Sequence, residues 1–467
     1  MSEQALRPSG YAPPSSKAAG VPLADTIVAL ATPPGKGAIA VVRVSGARVS
    51  EFAALHVRTG SELRPRVATY ATIVDETGHA VDRGLALLFP GPYSYTGEDV
   101  LELHVHGSPA IVREVVRALL ASGARQAAAG EFTRRAFLNG KMDLHEAGAV
   151  ADVIDAETRS AARAALANLG GGLASAVGGL RARLTTTLEQ LSGAIDFPEE
   201  VPEPDRHALH DLLESLRSEL LELRRDGERG RLIREGVGVA IVGPPNAGKS
   251  SLLNALLGEE RALVSEIPGT TRDTIEESIV IGGVPVRLID TAGIRAHADR
   301  LESAGIERSR RALEGARVAV VVVDGSRPLA PEALELLEST RERPRVVFLN
   351  KADVGTCVRI DRVDVIAGSS FDPGSLAALR NAIARAGWGG ESADLERPHL
   401  ATLREFEAVN EALEAIEYAC ETLERGDPAD LCSGELSRAF SALGHVTERV
   451  AAEEVLDGVF SRFCIGK

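Results

Sequence analysis

The chain has 467 residues, of which 44% are hydrophobic and 25% charged, and its formal net charge is −15. That length allows two or three domains, because single hydrophobic cores rarely grow beyond roughly 250–300 residues. The negative charge excludes a protein that coats nucleic acid through bulk electrostatics, and the lack of any stretch of roughly 20 uncharged apolar residues predicts a soluble protein without a membrane span.

Residues 1–22 are rich in Pro, Ser, Ala and Gly, a composition that predicts a disordered tail. Residues 23–142 then carry short β-type runs, TIVALAT, AIAVVRVSG, ALLF and VLELHVHG, together with one helical stretch over Pro109–Ala121. This mixture predicts a compact α+β domain at the start of the chain.

Residues 143–233 have a helical period, because leucines recur there at steps of three, four or seven positions. We predict one long helix between Leu166 and Ile195, weakened in its middle by three consecutive glycines from Gly170. The acidic, proline-bearing DFPEEVPEPD ends that helix, and a second helix leads into the Arg-rich RRDGERGRLIREG.

Residues 234–390 interrupt the helical pattern with the apolar runs VGVAIVG, VPVRLID, RVAVVVVD and RVVFLN, which alternate with helical stretches. That rhythm predicts a parallel sheet covered by helices on both faces. Residues 391–467 return to the helical spacing, and their last helix is predicted over Ser433–Phe463. The simplest architecture packs the two helical parts together as one bundle, with the α/β domain inserted between them.

The segment Gly243–Ser250 reads GPPNAGKS and follows the strand-like VGVAIV, which is the context that the phosphate-binding P-loop requires. The glycines allow backbone N–H groups to surround phosphate oxygens, Lys249 neutralises phosphate charge, and the Ser250 hydroxyl can bind Mg²⁺. A glycine-rich turn without a ligand is the alternative, and the motif's context disfavours it.

Two further motifs follow predicted strands. Asp290-Thr291-Ala292-Gly293 places a carboxylate where it can hold the metal through water, and Gly293 where it can meet the γ-phosphate. In Asn350-Lys351-Ala352-Asp353, the Asp353 carboxylate can accept hydrogen bonds from two donors of guanine, a pair that adenine lacks, which selects GTP. The run IAGSSFDPG lacks the usual Ser-Ala-Lys of a last guanine loop, so the choice among Gly368, Ser369 and Ser370 stays open.

The arrangement resembles the translation-factor-related GTPases, in which the run Ser265–Asp273 is similar to a first switch whose Thr271 closes on Mg²⁺. Ile294 occupies the position where many such proteins carry a water-orienting Gln, so Glu302 is the candidate for that task; a solvated helix-face acid is its alternative. Asn246 could coordinate a monovalent cation beside the phosphates, or simply cap the loop.

Five segments of the chain are characteristic of one family: DTIVALATPPGKGAIAVVRVSG, YSYTGEDVLELHVHG, GEFTRRAFLNGKMDL, IPGTTRD and the terminal FCIGK. Through them the chain resembles, over residues 25–467, the tRNA modification GTPase family called MnmE or TrmE. This resemblance implies an N-terminal folate-binding domain, a split helical domain and an inserted GTPase domain.

The resemblance also implies a reaction and partners. GTP hydrolysis would drive addition of an aminomethyl or carboxymethylaminomethyl group to position 5 of the tRNA wobble uridine, with a reduced one-carbon tetrahydrofolate supplying the methylene carbon. Members are homodimers that act with a flavin-dependent partner of the MnmG/GidA type, in a heterotetramer or larger complex in the cytoplasm.

Residue roles carry over from the same resemblance. Potassium would be held by Asn246, Ser265, Ile267 and Thr270, and pairing of two GTPase domains would complete a hydrolytic centre containing Glu302, Lys249 and Thr271. Folate would contact Arg43, Glu102, Lys141 and Lys467. The remaining GTP contacts would come from the phosphate loop and the first switch, namely Ala247, Gly248, Ser250, Ser251, Glu266, Pro268 and Gly269.

The four cysteines are too scattered for a zinc knuckle and too few for a disulfide scaffold, so a reducing cytosol is expected. Cys464 is a candidate nucleophile, since a thiolate could attack carbon six of uracil or a one-carbon unit. A structural thiol is the alternative.

A regulatory GTPase that only binds RNA or ribosomes is the competing function. Such proteins usually append a basic RNA-binding module, whereas this chain continues into the acidic amphipathic EFEAVNEALEAIEYACETLE. That segment favours the tRNA-modifying interpretation.

Overall fold

The structure is a computed structural model that describes residues 25–202, 204–259, 277–289, 312–358, 360, 365–390, 397–447 and 453–467. The predicted tail, residues 1–22, lies outside the described residues. The chain forms two compact units, one of Met1–Gly148 with Glu448–Lys467 and the other of Ala149–Thr447.

The first unit contains a seven-stranded sheet in the order β3-β4-β5-β6-β2-β1-β7. Its strands are β1 Ile27–Leu30, β2 Ile39–Ser45, β3 Val57–Arg58, β4 Thr69–Val74, β5 Ala80–Phe89, β6 Val100–His106 and β7 Arg125–Gln126. Neighbours run antiparallel except β1 and β7. Along β2 and β6 every second residue enters the core, as expected for strands with one covered face; Val42 of β2 and its partner Leu103 of β6 are examples.

Helices α1 (Val49–His56), α2 (Pro109–Ala121) and α3 (Glu131–Leu138) complete this part of the unit. The predicted helix over Pro109–Ala121 is confirmed by α2. The sequence patterns missed α1 and α3, because each has only eight residues and so shows barely two turns of periodicity.

The second unit begins within α4 (Leu144–Asp155) and continues with α5 (Arg159–Asn168), α6 (Gly172–Asp196) and α7 (Arg206–Glu235). The prediction of one long helix between Leu166 and Ile195 is wrong. Gly170 and Gly171 have φ angles of +118° and +72°, and these left-handed conformations break the chain between α5 and α6.

Six strands form the sheet of the inserted domain in the order β13-β12-β11-β8-β10-β9. They are β8 Val237–Val242, β9 Glu277–Ile281, β10 Val284–Ile289, β11 Val318–Asp324, β12 Arg345–Asn350 and β13 Val365–Ala367. The predicted parallel sheet is confirmed for five strands, and only the edge strand β9, which the patterns missed, is antiparallel to its neighbour.

Helices α8 (Lys249–Glu259), α9 (Pro331–Ser339) and α10 (Pro373–Trp388) accompany this sheet. Two apolar clusters cover its faces: Val239 and Val320 belong to one, Ala240 and Val321 to the other. Successive strand residues therefore point into separate cores, which explains the unbroken apolar runs in the sequence.

The helical parts on either side of the inserted domain share one core. Leu184 of α6 and Leu213 of α7 belong to the same buried cluster as residues of α11 (Leu403–Arg425) and α12 (Ala429–Thr447). The predicted packing of the two parts as one bundle is therefore confirmed. No described helix combines the length and apolarity needed to cross a bilayer.

The last described helix, α13 (Glu453–Phe460), belongs to the first unit. A single helix over Ser433–Phe463 was predicted, but α12 begins earlier, at Ala429, and α13 ends at Phe460. Residues 448–452, between the two, lie outside the described residues.

Candidate functional site

The phosphate loop connects β8 to α8 and requires glycine at two positions. At Gly243 a Cβ atom would overlap the carbonyl oxygen of Val322, and at Gly248 it would overlap the side-chain amide of Asn350. Gly248 also has a φ of +95°, and Asn246 adopts a left-handed φ of +59°, a conformation that asparagine tolerates better than most residues. The loop is thus packed closely against the strand ends around it.

Lys249 folds back over this loop. Its Nζ donates hydrogen bonds of 2.8 Å to the carbonyl oxygens of Gly243 and Pro244. Burial lowers the pKa of this ammonium group, because desolvation disfavours its charged form. The side chain is therefore held by neutral carbonyls, which phosphate oxygens could replace with a stronger charged interaction.

Asn350 joins three loops at the carboxyl edge of the sheet. Its Nδ2 donates to the carbonyl oxygen of Ala247 at 2.9 Å, and its Oδ1 accepts from both the N–H and the hydroxyl of Ser370 at 3.0 Å. Gly368 contributes through its backbone, since its carbonyl oxygen accepts from the N–H of Ala352 at 3.0 Å. The phosphate loop, the NKAD segment and the loop that follows β13 are therefore brought together.

Lys351 also has a left-handed φ, of +64°, and its Nζ donates to the Asn246 carbonyl oxygen at 2.9 Å and to Asp324 Oδ2 at 2.7 Å. Burial tends to raise the pKa of Asp324, but hydrogen bonds from Lys351 and Ser326 outweigh it and hold that pKa below its usual range. The sequence reasoning missed Asp324. The available signal was the position of Asp324 at the end of the apolar run RVAVVVVD. In the structure β11 pairs with β12, and this pairing places Asp324 opposite Asn350.

Asp353 lies in the turn after Lys351 and is exposed. The turn is closed by the N–H of Val354, which donates to the Lys351 carbonyl oxygen at 3.0 Å. Ser250 and Ser251 are exposed in the first turn of α8. The side chains of Asp353, Ser250 and Ser251 are therefore at the surface, in segments that belong to or adjoin the loops joined at Asn350.

Thirteen sequence-predicted or discussed positions lie outside the described residues. They comprise the first switch, the DTAG motif and the candidate water-orienting positions: Ser265, Glu266, Ile267, Pro268, Gly269, Thr270, Thr271, Asp290, Thr291, Ala292, Gly293, Ile294 and Glu302. Their roles stay predictions.

A second polar site lies on the sheet of the first unit. Arg43 of β2 and Glu102 of β6 are directly opposite each other, and Arg43 Nε and Nη2 donate to Glu102 Oε1 at 2.9 and 2.8 Å. The other carboxylate oxygen of Glu102 lies 3.3 Å from His104 Nε2, a neighbour outside the predicted folate set. The Arg43 guanidinium stands 5.5 Å from the Tyr95 ring centroid and 5.7 Å from that of Phe132.

Lys467 is brought to this pair from the far end of the sequence. Burial lowers the pKa of its ammonium group, and the nearby charge of Arg43 lowers it further, while Glu102 acts in the opposite direction. The backbone of its segment is anchored, since the N–H of Phe132 donates to the Lys467 carbonyl oxygen at 3.1 Å. Gly466 has a φ of +106° and no room for a Cβ atom against Leu30.

Lys141 is held at a different place in the same unit. Its Nζ donates to the Pro92 carbonyl oxygen at 3.0 Å, and its side chain passes Gly97. The loop that it contacts also carries Tyr95, the aromatic neighbour of Arg43. Arg43 and Glu102 therefore contact each other directly, and the terminal segment with Lys467 is anchored at Phe132, whose ring lies beside Arg43. Lys141 contacts the loop that carries Tyr95.

Cys464 is exposed. Its carbonyl oxygen accepts hydrogen bonds from the N–H groups of Gly130, at 3.5 Å, and Lys467, at 3.4 Å. Its backbone therefore helps to hold the terminal segment, while a role for its thiol stays a prediction.

Two family models match the chain. The model described as the GTP-binding protein TrmE N-terminus covers residues 26–141, and the MnmE helical domain covers residues 144–464.

Named relatives match over nearly the full length. A protein of Thermotoga petrophila called tRNA modification GTPase MnmE is 39% identical over 457 residues, which cover 95% of this chain and all of the relative. A protein of the same name from Halorhodospira halophila is 44% identical over 462 residues, covering 95% of this chain and 96% of the relative. Among solved structures, the G domain of the T. maritima FeoB iron transporter is 27% identical and covers 32% of this chain and 98% of that one, with a TM-score of 0.24.

Proposed function

The chain belongs to the tRNA modification GTPase MnmE family, and we propose that it hydrolyses GTP to drive a folate-dependent modification of the tRNA wobble uridine. The observation that carries the GTPase part is the junction at Asn350, which joins the phosphate loop to both loops expected to contact guanine. The family match over 95% of the chain supports the tRNA part.

In this proposal the chain has a folate-binding domain (23–142), a helical domain in two parts (143–233 and 391–467) and a GTPase domain (234–390). The backbone of Asn246–Ser251 would surround the phosphates, with Lys249 on the β- and γ-phosphates and Ser250 with Thr271 on Mg²⁺. The Lys249 ammonium supports this role, because it already spans the loop carbonyls beside the expected phosphate position.

The guanine base would be selected by Asp353, whose carboxylate would accept hydrogen bonds from its N1–H and exocyclic amine. Asn350 and Lys351 would position that residue rather than read the base. Their support is the network to Ala247, Ser370 and Asp324, which fixes the loop in which Asp353 lies.

Asn246 would hold a potassium ion beside the phosphates, together with Ser265, Ile267 and Thr270. Its support is its place in the phosphate loop, where the hydrogen bond from Lys351 Nζ to the Asn246 carbonyl oxygen fixes the backbone. We expect GTP turnover to fall at least about tenfold when potassium is replaced by sodium, since the bound cation would stabilise developing negative charge. Steady-state hydrolysis in matched chloride salts checks this, and Asn246→Ala should remove the difference between the salts. Equal rates in the two salts for the unmodified protein would contradict the potassium site.

Arg43, Glu102, Lys141 and Lys467 would bind a reduced one-carbon tetrahydrofolate, which supplies the methylene carbon when bound. The cationic side chains fit the carboxylates of folate, and Glu102 can accept hydrogen bonds from the pterin amino group and ring N–H. Partial burial of the Arg43–Glu102 pair, with side chains 16% and 17% exposed, favours a site shielded from water.

Glu102→Gln should weaken 5-formyltetrahydrofolate binding by about tenfold or more, because an amide replaces one acceptor oxygen with a donor. Equilibrium dialysis measures the affinity, and GDP affinity of the same variant reports that the protein is intact. Glu62→Gln, an exposed change in the same unit, is the matched control. Unchanged folate binding by Glu102→Gln would remove this residue from the site.

The protein would be a cytoplasmic homodimer through its N-terminal domains, and would act on tRNA with a flavin-dependent partner in a heterotetramer or larger complex. Ile39, Tyr70 and Leu85 support a homodimer, because they leave the sheet on the face opposite its core and remain exposed. Light scattering that gave the mass of a single chain would contradict the homodimer.

Nucleoside analysis of tRNA tests the proposed function as a whole. Cells that lack this protein should lose the aminomethyl-type groups at position 5 of the wobble uridine, and the unmodified gene should restore them. Unchanged wobble uridines, together with a ribosome-assembly defect, would favour the regulatory switch instead.

A further inference from the structure

Phe371 has the highest exposed fraction, 85%, of the large hydrophobic residues that the structure describes. It lies in the short loop between β13 and α10, directly after Ser370. An apolar ring left in water carries a hydration cost that an aromatic or apolar partner would remove. Contact with a ligand or a partner would therefore stabilise Phe371.

The loop around Phe371 is well fixed. On one side Ser370 is 2% exposed and bound through both its N–H and its hydroxyl to Asn350. On the other side Asp372 caps α10 by accepting from the N–H of Ser375 at 2.8 Å. The exposed ring is thus presented by a backbone that is held on both sides.

The same loop adjoins the segment expected to read the base. Parallel pairing of β12 with β13 brings their carboxyl ends to one edge of the sheet, and the N–H of Ala352 donates to the Gly368 carbonyl oxygen. Asp353 follows Ala352 directly. Phe371 is therefore presented beside the loop that carries the guanine-selecting carboxylate.

We infer that the Phe371 ring stacks on one face of the guanine base of the bound nucleotide, an inference that rests on the GTP site proposed above. Ser370 cannot cover the base, because its hydroxyl is turned to Asn350. The Lys351 ammonium is fixed by Asp324 and the Asn246 carbonyl, so its aliphatic stem offers an apolar surface for the other face. An aromatic ring on a base typically contributes a factor of about ten or more to affinity.

Phe371→Ala should raise the Kd for GDP about tenfold, measured by isothermal titration calorimetry with magnesium. Stacking does not depend on the hydrogen-bonding edge of a base, so the Kd for inosine diphosphate should rise by the same factor. The KM for GTP should rise similarly while kcat changes less than twofold. Leu334→Ala, at a 52% exposed residue of α9 in the same domain, is the matched control and should leave all four values unchanged.

A second variant reports the ring's position directly. Trp388 is the single tryptophan of the chain, so Phe371→Trp adds one fluorophore to a known background. GDP should quench the added fluorescence, because a stacked guanine is an efficient quencher of tryptophan, and unmodified protein should show no comparable change.

The outcomes separate this inference from the nucleotide site itself. If unmodified protein does not bind GDP, the proposed GTP site is wrong and the inference falls with it. If unmodified protein binds GDP, but Phe371→Ala binds it equally well and the added tryptophan is not quenched, the inference alone is overturned. A loss of self-association in Phe371→Ala with unchanged GDP affinity would likewise overturn it and assign the ring to a protein contact.

Discussion

Asp353→Asn is expected to weaken GDP binding by about 10³-fold or more and to improve binding of xanthosine diphosphate. The carboxylate would accept two hydrogen bonds from two N–H donors of guanine. An amide keeps only one acceptor oxygen, and its NH₂ group would face the second guanine donor, so these two facing donors would both be unpaired. A site built around hydrogen bonds discriminates by a factor of about 10⁴ against a ligand that leaves the polar groups of the site unpaired. Xanthine carries a carbonyl where guanine carries its amine, so the amide donor suits it.

Competition binding with GDP, xanthosine diphosphate and ADP measures this change in selectivity. Glu335→Gln, which removes the same charge from an exposed position on α9, is the matched control and should bind GDP as the unmodified protein does. An Asp353→Asn protein that still prefers GDP over xanthosine diphosphate would remove this residue from base recognition.

Glu302→Ala is expected to lower GTP turnover by at least about 100-fold while changing GTP affinity less than twofold. The reason is that the position after DTAG is Ile294, whose aliphatic side chain cannot orient the attacking water, so a carboxylate further along the chain is proposed for that task. An acid that contacts only the water contributes to the transition state and not to binding of the substrate.

Single-turnover hydrolysis and nucleotide binding, measured on the same preparation, separate the two effects. Lys249→Ala provides the contrast, since loss of the ammonium should weaken binding and turnover together. Normal turnover by Glu302→Ala would return that residue to the role of a solvated surface acid.

The phosphate loop could be predicted from sequence because its chemistry is local. Eight consecutive residues from Gly243 to Ser250 supply the turn, the ammonium group and the hydroxyl, and the apolar strand before them fixes their setting. The structure adds the reason for two glycines, since Val322 and Asn350 come from distant segments and leave no room for a side chain.

The last guanine loop shows where local reasoning failed. Its sequence matched no standard pattern, so Gly368, Ser369 and Ser370 could not be told apart. The structure brings Ser370 into hydrogen-bonding distance of Asn350, 20 residues earlier in the chain. That contact depends on the pairing of two parallel strands, a property of the sheet that neither segment contains by itself.

By itself, the sequence determined the parallel sheet, the helical parts and the phosphate loop, because apolar periodicity and a contiguous motif depend only on nearby residues. Only the tertiary structure decided that Lys467 lies beside Arg43 and Glu102, that Asp324 holds Lys351, and that the helix near Gly170 is broken. The first two are meetings of charged groups that are far apart in sequence. Local sequence patterns carry no information about such tertiary contacts, because the packing of helices and strands determines them.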